Sequence, residues 1–178
     1  MLLTDHILFL DGEAIVVDKP AGLPVDAPRD GSLSLENHLD SLKFGFKRWP
    51  LAVHRLDRDT SGCLLLARNP KAHGRFTQAF EARAVEKAYL AIVDGVVAGT
   101  SGTIDLPLAK VSTAEDGWRM VGDPVYGKGG PRDRTMLHAE RLVVARGAKP
   151  PIVAEAPFPD RFAALGFTAP EGAEPTRG

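Results

Sequence analysis

Short apolar runs separated by Gly, Pro and Asp predict a series of strands. Residues 6–17 (HILFLDGEAIVV) read as two short strands joined by an Asp-Gly turn, and residues 63–67 (CLLLA) as a buried strand. Residues 85–95 (VEKAYLAIVDG) also have strand character and end in an Asp-Gly turn. A further strand is predicted over residues 135–144 (TMLHAERLVV).

Helical spacing occurs at three places. Ser34 can cap a helix that places Leu35, Leu39 and Leu42 on one face. A second helix is predicted to start at Asn69-Pro70, and residues 156–167 (APFPDRFAALGF) suggest a closing turn and short helix. The apolar face of the second helix comprises Ala72, Phe76, Ala79 and Phe80. Because strands and helices do not alternate regularly, the pattern favours an α+β fold.

The stretch from residue 112 to residue 134 breaks this pattern. It contains turn-forming and charged residues but no periodic apolar segment. A structureless loop of this length is uncommon inside a compact domain. We therefore interpret it either as a functional loop or as a sign that a segment is missing.

The composition is that of one globular domain. The chain has 178 residues, 44% of them hydrophobic, which suits a single domain over residues 1–167 and a disordered tail over residues 168–178. The single cysteine, Cys63, lies in an apolar run and is expected in the core. No apolar stretch reaches the length of a membrane span, and the N-terminus lacks the basic start of a signal peptide. We expect a soluble, cytoplasmic protein.

The charge is distributed unevenly, although the net charge is only −1. Residues 5–40 contain eight acids and two bases, whereas residues 43–75 contain eight bases and two acids. A basic segment of this kind suits a polyanion lying across one face. A solvated charged face without a ligand is the alternative.

Residues 54–62 (HRLDRDTSG) place Asp57 between Arg55 and Arg58, just before the predicted buried strand. Asp57 could be a nucleophile or base that the arginines keep ionised. Asp57 and Asp59 also have the spacing of the two acids in the DxDxT pattern of magnesium-dependent phosphatases, although His54 and Arg55 interrupt the strand that this pattern requires. The third interpretation is purely structural: an ion pair between Asp57 and its arginines, followed by a turn.

At this point the sequence resembles the RluA-type pseudouridine synthases. HRLDRDTSG and the upstream VVDKPAGLPV look like the family's signature, and EKAYLA at 86–91, GDPVYG at 122–127 and LHA at 137–139 follow in the family's order. The resemblance implies the pseudouridine synthase catalytic fold, with a mixed, mainly antiparallel central sheet flanked by helices and loops. It implies isomerisation of specific uridines in structured RNA, either rRNA or tRNA.

The resemblance also implies roles for individual residues. Asp57 corresponds to the family's catalytic aspartate, and Arg55 to an arginine that helps to displace the target base. Tyr89 and Lys87 occupy the K-x-Y positions, where the tyrosine stacks on the flipped uracil, and Leu137 forms an apolar wall of the pocket. On pattern alone, Tyr89 and Leu137 would be packed residues and Arg55 a solvated cation or a salt-bridge partner. The reaction needs no cofactor and no metal, and we expect a monomer whose partner is RNA.

The sequence departs from the family between Met120 and Val121. Family members carry several dozen more residues there, including central strands and a motif close to GRTHQLRVH whose second arginine pairs with the catalytic aspartate. The chain contains no RTHQ-like string. We therefore predict an internal deletion that removes some central strands and the partner of Asp57. Two alternatives to the synthase remain: a catalytically impaired RNA-binding relative, and the magnesium-dependent phosphatase.

Overall fold

A computed structural model describes residues 2–97, 99–103, 119–122 and 135–170. Within these ranges seven strands form one mixed sheet, in the order β1-β2-β4-β8-β5, with β3 also paired to β4 and β9 to β8. Only the β4–β8 pairing is parallel among the paired strands that the structure describes; the others are antiparallel. The strands are β1 (Ile7–Leu10), β2 (Ala14–Lys19), β3 (Leu51–Ala52), β4 (Ser61–Ala67), β5 (Val85–Ala91), β6 (Val93–Asp94), β7 (Arg119–Met120), β8 (Leu137–Arg146) and β9 (Lys149–Glu155). The predicted α+β class and mainly antiparallel sheet are confirmed.

The β1–β2 hairpin forms where the Asp-Gly turn predicts it. The Asp11 carboxylate accepts hydrogen bonds from the backbone N–H groups of Glu13 and Ala14, at 2.8 and 2.9 Å. This Asx-type turn satisfies two backbone donors that the ladder does not reach.

Strand β4 is the buried centre of the sheet, with every residue from Ser61 to Ala67 buried. Its side chains alternate between two apolar clusters, as the two-residue period of a strand requires. One cluster includes Cys63, Leu65 and the helix residue Phe76. The other includes Leu64 and Leu66 with the leucines of the segment after Ser34. The prediction that Cys63 is a core residue is confirmed.

The helices follow the predicted caps. Helix α1 (Pro70–Glu81) starts after Asn69, whose side chain accepts a hydrogen bond from the Ala72 N–H at 2.9 Å. The segment after Ser34 is a 3-10 helix, Leu35–Leu42, in which the Ser34 N–H donates to Asn37 Oδ1. Its three predicted leucines are buried, although its turns are tighter than those of the expected α-helix. A second short α-helix, α2 (Asp160–Ala163), lies near the end of the chain.

Three strands were not predicted from the sequence. Strand β9 contains Pro150 and Pro151, which discourage a strand assignment, but among the described residues it pairs with β8 alone, so missing N–H groups are tolerated on its other side. Strand β3 is two residues long. Strand β7 lies within the stretch expected to be irregular and pairs with β6.

The halves of the sheet meet at a short parallel joint between β4 and β8. Ser61 pairs with His138 and Gly62 with Ala139. Gly62 has a φ of 105°, and a Cβ added to it would lie 2.2 Å from the carbonyl oxygen of Ala139. Only glycine allows the two backbones to approach this closely.

Some predictions fall largely on undescribed residues. The GDPVYG segment is described only at Gly122, and the predicted tail only at residues 168–170. Among the described residues, no helix is long and apolar enough to span a bilayer.

We predict that Gly62→Ala strongly destabilises the protein, by roughly 2 kcal/mol or more, because the new methyl group meets backbone atoms and the positive φ disfavours it. Gly74→Ala is the matched control, since Gly74 lies within α1 and a Cβ there meets nothing within 4 Å. That substitution should stabilise the protein by about 0.5–1 kcal/mol. Urea unfolding of both variants measures the two effects, and an unchanged midpoint for Gly62→Ala would contradict the steric argument.

Candidate active site

Three of the sequence motifs meet in one row across the sheet. The turn that carries Asp57 leads directly into β4, where Gly62 pairs with Ala139 of β8. The same end of β8 pairs with β5, through Leu90 opposite His138 and Ala91 opposite Leu137. HRLDRDTSG, LHA and KAY, which are far apart in sequence, are therefore neighbours at one end of the joint.

The backbone of the Asp57 turn is tied to the upstream loop at residues 20–24. The Thr60 N–H donates to the Asp57 carbonyl at 3.1 Å, which closes the turn. The Gly22 N–H donates to the Arg58 carbonyl at 2.8 Å, and Arg58 Nε donates back to the Gly22 carbonyl. Gly22 has a φ of 88°, which explains the glycine at this contact.

Lys19 secures this contact from inside the protein. Its side chain is fully buried, and its ammonium group donates to the carbonyl oxygens of Pro20, Leu23 and Arg58 at 2.8–3.1 Å. A buried ammonium requires such acceptors, because an unpaired one would be very costly. Lys19 thus fixes the upstream loop against the residue that follows Asp57.

Arg161, from α2, binds the other side of the same turn. Its guanidinium donates to the carbonyls of Asp59 and Thr135, to Ser61 Oγ and to the Leu137 carbonyl, at 2.7–3.1 Å. Asp59 and Ser61 follow shortly after Asp57, whereas Thr135 and Leu137 lie just before and at the start of β8. One side chain therefore sets the position of Asp57 relative to Leu137.

Ser61 and His138 extend this network. Ser61 Oγ lies 2.8 Å from His138 Nδ1 and accepts a hydrogen bond from Arg161 at 3.0 Å. Burial, with the Arg161 charge adding, lowers the pKa of His138 to about 4. His138 is therefore neutral at pH 7, with one ring nitrogen that donates and one that accepts.

Asp57 itself is exposed, and its carboxylate has no ion-pair partner among the described residues. Arg55 instead pairs with Asp26, with 3.0 Å between Nη1 and Oδ2, and Arg58 is directed at Gly22. The interpretation in which Asp57 forms an ion pair with its neighbouring arginines is wrong.

Tyr89 lies on β5 at the point where the β5–β8 register shifts, between Ala88 and Leu90. Its pKa is raised mainly by burial, with further contributions from Cys63 and from the charge of Asp57. The ring nevertheless remains 42% exposed. Tyr89 and Asp57 are thus both exposed to solvent at this end of the joint.

The two other predicted residues lie on the same strands. Leu137 is half-buried at the start of β8, opposite Ala91. Lys87 is exposed on β5, and its Nζ lies 5.9 Å from the centroid of the Phe80 ring. The structure therefore groups Asp57, Tyr89 and Leu137 at one end of the joint, places Lys87 along β5, and directs Arg55 toward the loop that contains Asp26.

His54, the first residue of the motif, has a structural role. Its Nε2 accepts a hydrogen bond from the Leu65 N–H at 3.0 Å, and its ring stacks on Phe80 at 4.3 Å between centroids. It thereby satisfies a backbone donor of β4. Burial, with the Lys87 charge adding, lowers the pKa of His54 to about 4, so the ring stays neutral and able to accept.

Sequence reasoning missed the residues that hold the turn in place. Lys19 lies in the VVDKPAGLPV segment of the family signature and Arg161 in the predicted closing helix, but nothing in the sequence assigned a role to either side chain. A cavity of about 360 Å³ is lined by both of them and by Ser61 and His138, but not by Asp57 or Tyr89. Among the described residues, no group of three or more His, Cys, Asp or Glu side chains could hold a metal ion.

Comparison with known proteins gives consistent matches. Residues 13–145 match a family described as RNA pseudouridylate synthase. The chain is 46% identical to an uncharacterised RNA pseudouridine synthase from Zymomonas mobilis, over 93% of this chain and 99% of that protein. It is 38% identical to the ribosomal large subunit pseudouridine synthase D of Pseudomonas aeruginosa, over 59% of this chain and 33% of that protein. A solved structure of human RNA pseudouridylate synthase domain-containing protein 1 superposes with a TM-score of 0.69 at 22% identity, over 86% of this chain and 83% of that chain.

The Zymomonas alignment also bears on the predicted deletion. It extends over 217 positions, more than the 178 residues of the whole chain. Part of that relative therefore has no counterpart inside the aligned region of this chain. This agrees with an internal omission, while its location at Met120-Val121 stays a prediction.

We predict that acid destabilises the protein through His54 and His138. Both histidines have a folded-state pKa near 4, below the usual 6.5, so the unfolded chain binds protons first as the pH falls. The free energy of unfolding should be highest above about pH 6.5 and should fall progressively toward pH 4. Urea midpoints across this range measure the effect. His54→Gln, which can still accept but does not titrate, should flatten the slope; a slope equal to that of the wild type would contradict the assignment.

Proposed function

Because the chain belongs to the RNA pseudouridylate synthase family, in its RluA-type branch, we propose that it isomerises uridine to pseudouridine in RNA with Asp57 as the catalytic group. The observation that carries this proposal is the meeting of Asp57, Tyr89 and Leu137 at the β4–β8 joint. Family membership also weighs against the phosphatase interpretation of residues 57–60.

The proposed chemistry fits an exposed carboxylate beside an aromatic ring. The reaction breaks the bond between C1′ and N1 of uridine, turns the uracil and forms a bond between C1′ and C5. The proton leaves C5 and N1 gains one, so the product is an isomer and no co-reactant is consumed. Asp57 can add to the nucleoside or remove the C5 proton. Tyr89 provides a plane on which the flipped base stacks, and Leu137 provides an apolar wall.

We propose that the backbone contacts of Lys19 and Arg161 supply much of the required positioning. They hold the turn around Asp57 and the start of β8 through main-chain atoms and leave the Asp57 carboxylate accessible. Because the turn is already ordered in the free protein, little further conformational entropy is lost when the reactive group takes up its position. Arg55, paired with Asp26 on the surface, is free to exchange that partner for RNA because an exposed ion pair is weak.

The substrate class is proposed to be structured rRNA or tRNA. The Pseudomonas relative is named for the RNA of the large ribosomal subunit. The basic segment at residues 43–75 supplies charge for binding a phosphate backbone. We also propose that the chain acts as a cytoplasmic monomer without a metal.

A second candidate function is RNA binding without turnover. It is favoured by one observation, the lack of a cation paired with Asp57 among the described residues. In this case the protein would bind RNA with a salt-dependent affinity but form no pseudouridine.

We predict that Asp57→Asn abolishes pseudouridine formation. Purified protein would be incubated with rRNA and tRNA from cells that lack the gene, and pseudouridine would be mapped by carbodiimide labelling and primer extension. The amide neither attacks nor accepts the proton, so the rate should fall by roughly a thousandfold or more. Asp59→Asn is the matched control and should remain active, because only the backbone carbonyl of Asp59 is held by Arg161. Full activity of Asp57→Asn would refute the mechanism, and RNA binding without turnover by the wild type would favour the second candidate.

We predict that Arg161→Lys lowers kcat while RNA affinity is retained. A lysine keeps the charge but cannot reach four acceptors at once, so the Asp57 turn should lose its fixed position relative to Leu137. A displacement of this kind can reduce the rate by roughly a hundredfold. Single-turnover rates and RNA Kd values separate the two effects. A parallel loss of affinity, or unchanged kcat, would argue against a positioning role.

A further inference from the structure

An exposed loop at residues 43–49 (KFGFKRW), here called the aromatic–basic loop, combines three aromatic and three cationic side chains. Phe44, Phe46 and Trp49 remain 42, 39 and 54% exposed, and Lys47 and Arg48 are exposed between them. The loop contains no acidic residue. We propose that it binds single-stranded RNA that flanks the target uridine, an inference that rests on the proposed function.

The loop is held in place by a buried cation. Arg68 is 8% exposed, and its Nη2 donates to the carbonyl oxygens of both Lys43 and Phe44 at 3.0 Å. The Arg68 guanidinium also lies 4.0 Å from the centroid of the Phe46 ring. Because Arg68 follows directly after β4, the loop is anchored to the rigid centre of the sheet. The aromatic rings are therefore presented by an ordered scaffold.

The backbone of the loop supports this interpretation. Phe44 has a φ of 43°, a conformation that is unfavourable for a bulky residue and is usually taken by glycine. The hydrogen bonds from Arg68 to the carbonyl oxygens of Lys43 and Phe44 stabilise this backbone conformation. Strained backbone that is held by surrounding structure is concentrated at functional sites.

The chemistry of the loop fits RNA better than a protein partner. Proteins that bind single strands combine aromatic planes, on which bases stack, with cations that contact the phosphates. Protein interfaces, in contrast, are depleted in lysine at their centre. The Lys43 ammonium, which also pairs with Asp40, lies 5.6 Å from the centroid of the Trp49 ring, so a cation is already beside the ring on which a base would stack.

The position of the loop identifies which nucleotides it contacts. The loop leads into β3, which pairs with the Ala67 end of β4, whereas Asp57 precedes the Ser61 end. Seven strand residues separate these ends by about 20 Å. A base stacked on Trp49 is therefore not the target uridine but lies several nucleotides from it.

The test measures binding, so it does not depend on turnover. All variants are made in the Asp57→Asn protein, and the probe is a fluorescently labelled single-stranded RNA of mixed sequence, about 12 nucleotides long, followed by anisotropy. Trp49→Ala should raise the Kd about tenfold, because it removes a stacking plane. Lys47→Gln with Arg48→Gln should reduce the slope of log K against log salt by about 1.4.

Two matched controls separate a local effect from a general one. Phe167→Ala removes an aromatic ring of similar exposure, and Arg83→Gln removes an exposed cation beyond the far end of α1. Both should bind the probe as the Asp57→Asn parent does. A parent that does not bind the probe, loop variants that bind as tightly as the parent, or controls that lose as much affinity would each overturn the proposal. None of these results would alter a finding of pseudouridine formation by the wild type.

A second readout reports on Trp49 directly. The chain has two tryptophans, Trp49 and Trp118, so Trp118→Phe leaves Trp49 as the emitter. Stacking of a base on its ring should quench its fluorescence as RNA is added. Unchanged emission at saturating RNA would place the bound strand elsewhere and overturn the proposal.

Discussion

The close parallel approach of Gly62 to Ala139 is the constraint on which the rest of this structure depends. It joins the strands β1, β2 and β4 to β5, β8 and β9 through two residue pairs. Since a side chain at residue 62 would collide with the backbone of Ala139, the joint can form only with glycine. The same contact brings the Asp57 turn beside Leu137 and Tyr89, so the fold and the candidate site share one structural requirement.

The cations around this joint act mainly on the backbone. Lys19 and Arg161 donate to carbonyl oxygens and thereby fix loops that would otherwise move independently. Arg68 has the same role at the opposite end of β4, where it holds the aromatic–basic loop. Asp57 differs from these residues because its carboxylate is exposed and has no ion-pair partner among the described residues. This arrangement fixes the peptide chain and leaves the reactive group available to a substrate.

The agreement between sequence and structure varies with the range of the interaction. The β1–β2 hairpin, strand β4 and helix α1 were predictable because turn residues, side-chain period and caps act over a few positions. Strand β9 was missed because its prolines are tolerated only at the edge of a sheet, and edge position is a tertiary property. The proposed ion pair of Asp57 with Arg55 and Arg58 failed because adjacency in sequence does not determine side-chain direction in a turn.

The sequence by itself determined the family, the mixed α+β class and the motif residues, because a nine-residue signature and its ordered companions are specific at the level of residue identity. Only the tertiary structure decided that Arg55 pairs with Asp26, that His54 is a neutral acceptor of a β4 N–H, and that Lys19 and Arg161 hold the Asp57 turn. The reason is that these contacts join elements that only the fold brings together, and all of them except the Arg55–Asp26 ion pair involve backbone atoms. Backbone acceptors are identical at every position, so no residue pattern identifies which ones a buried cation will reach.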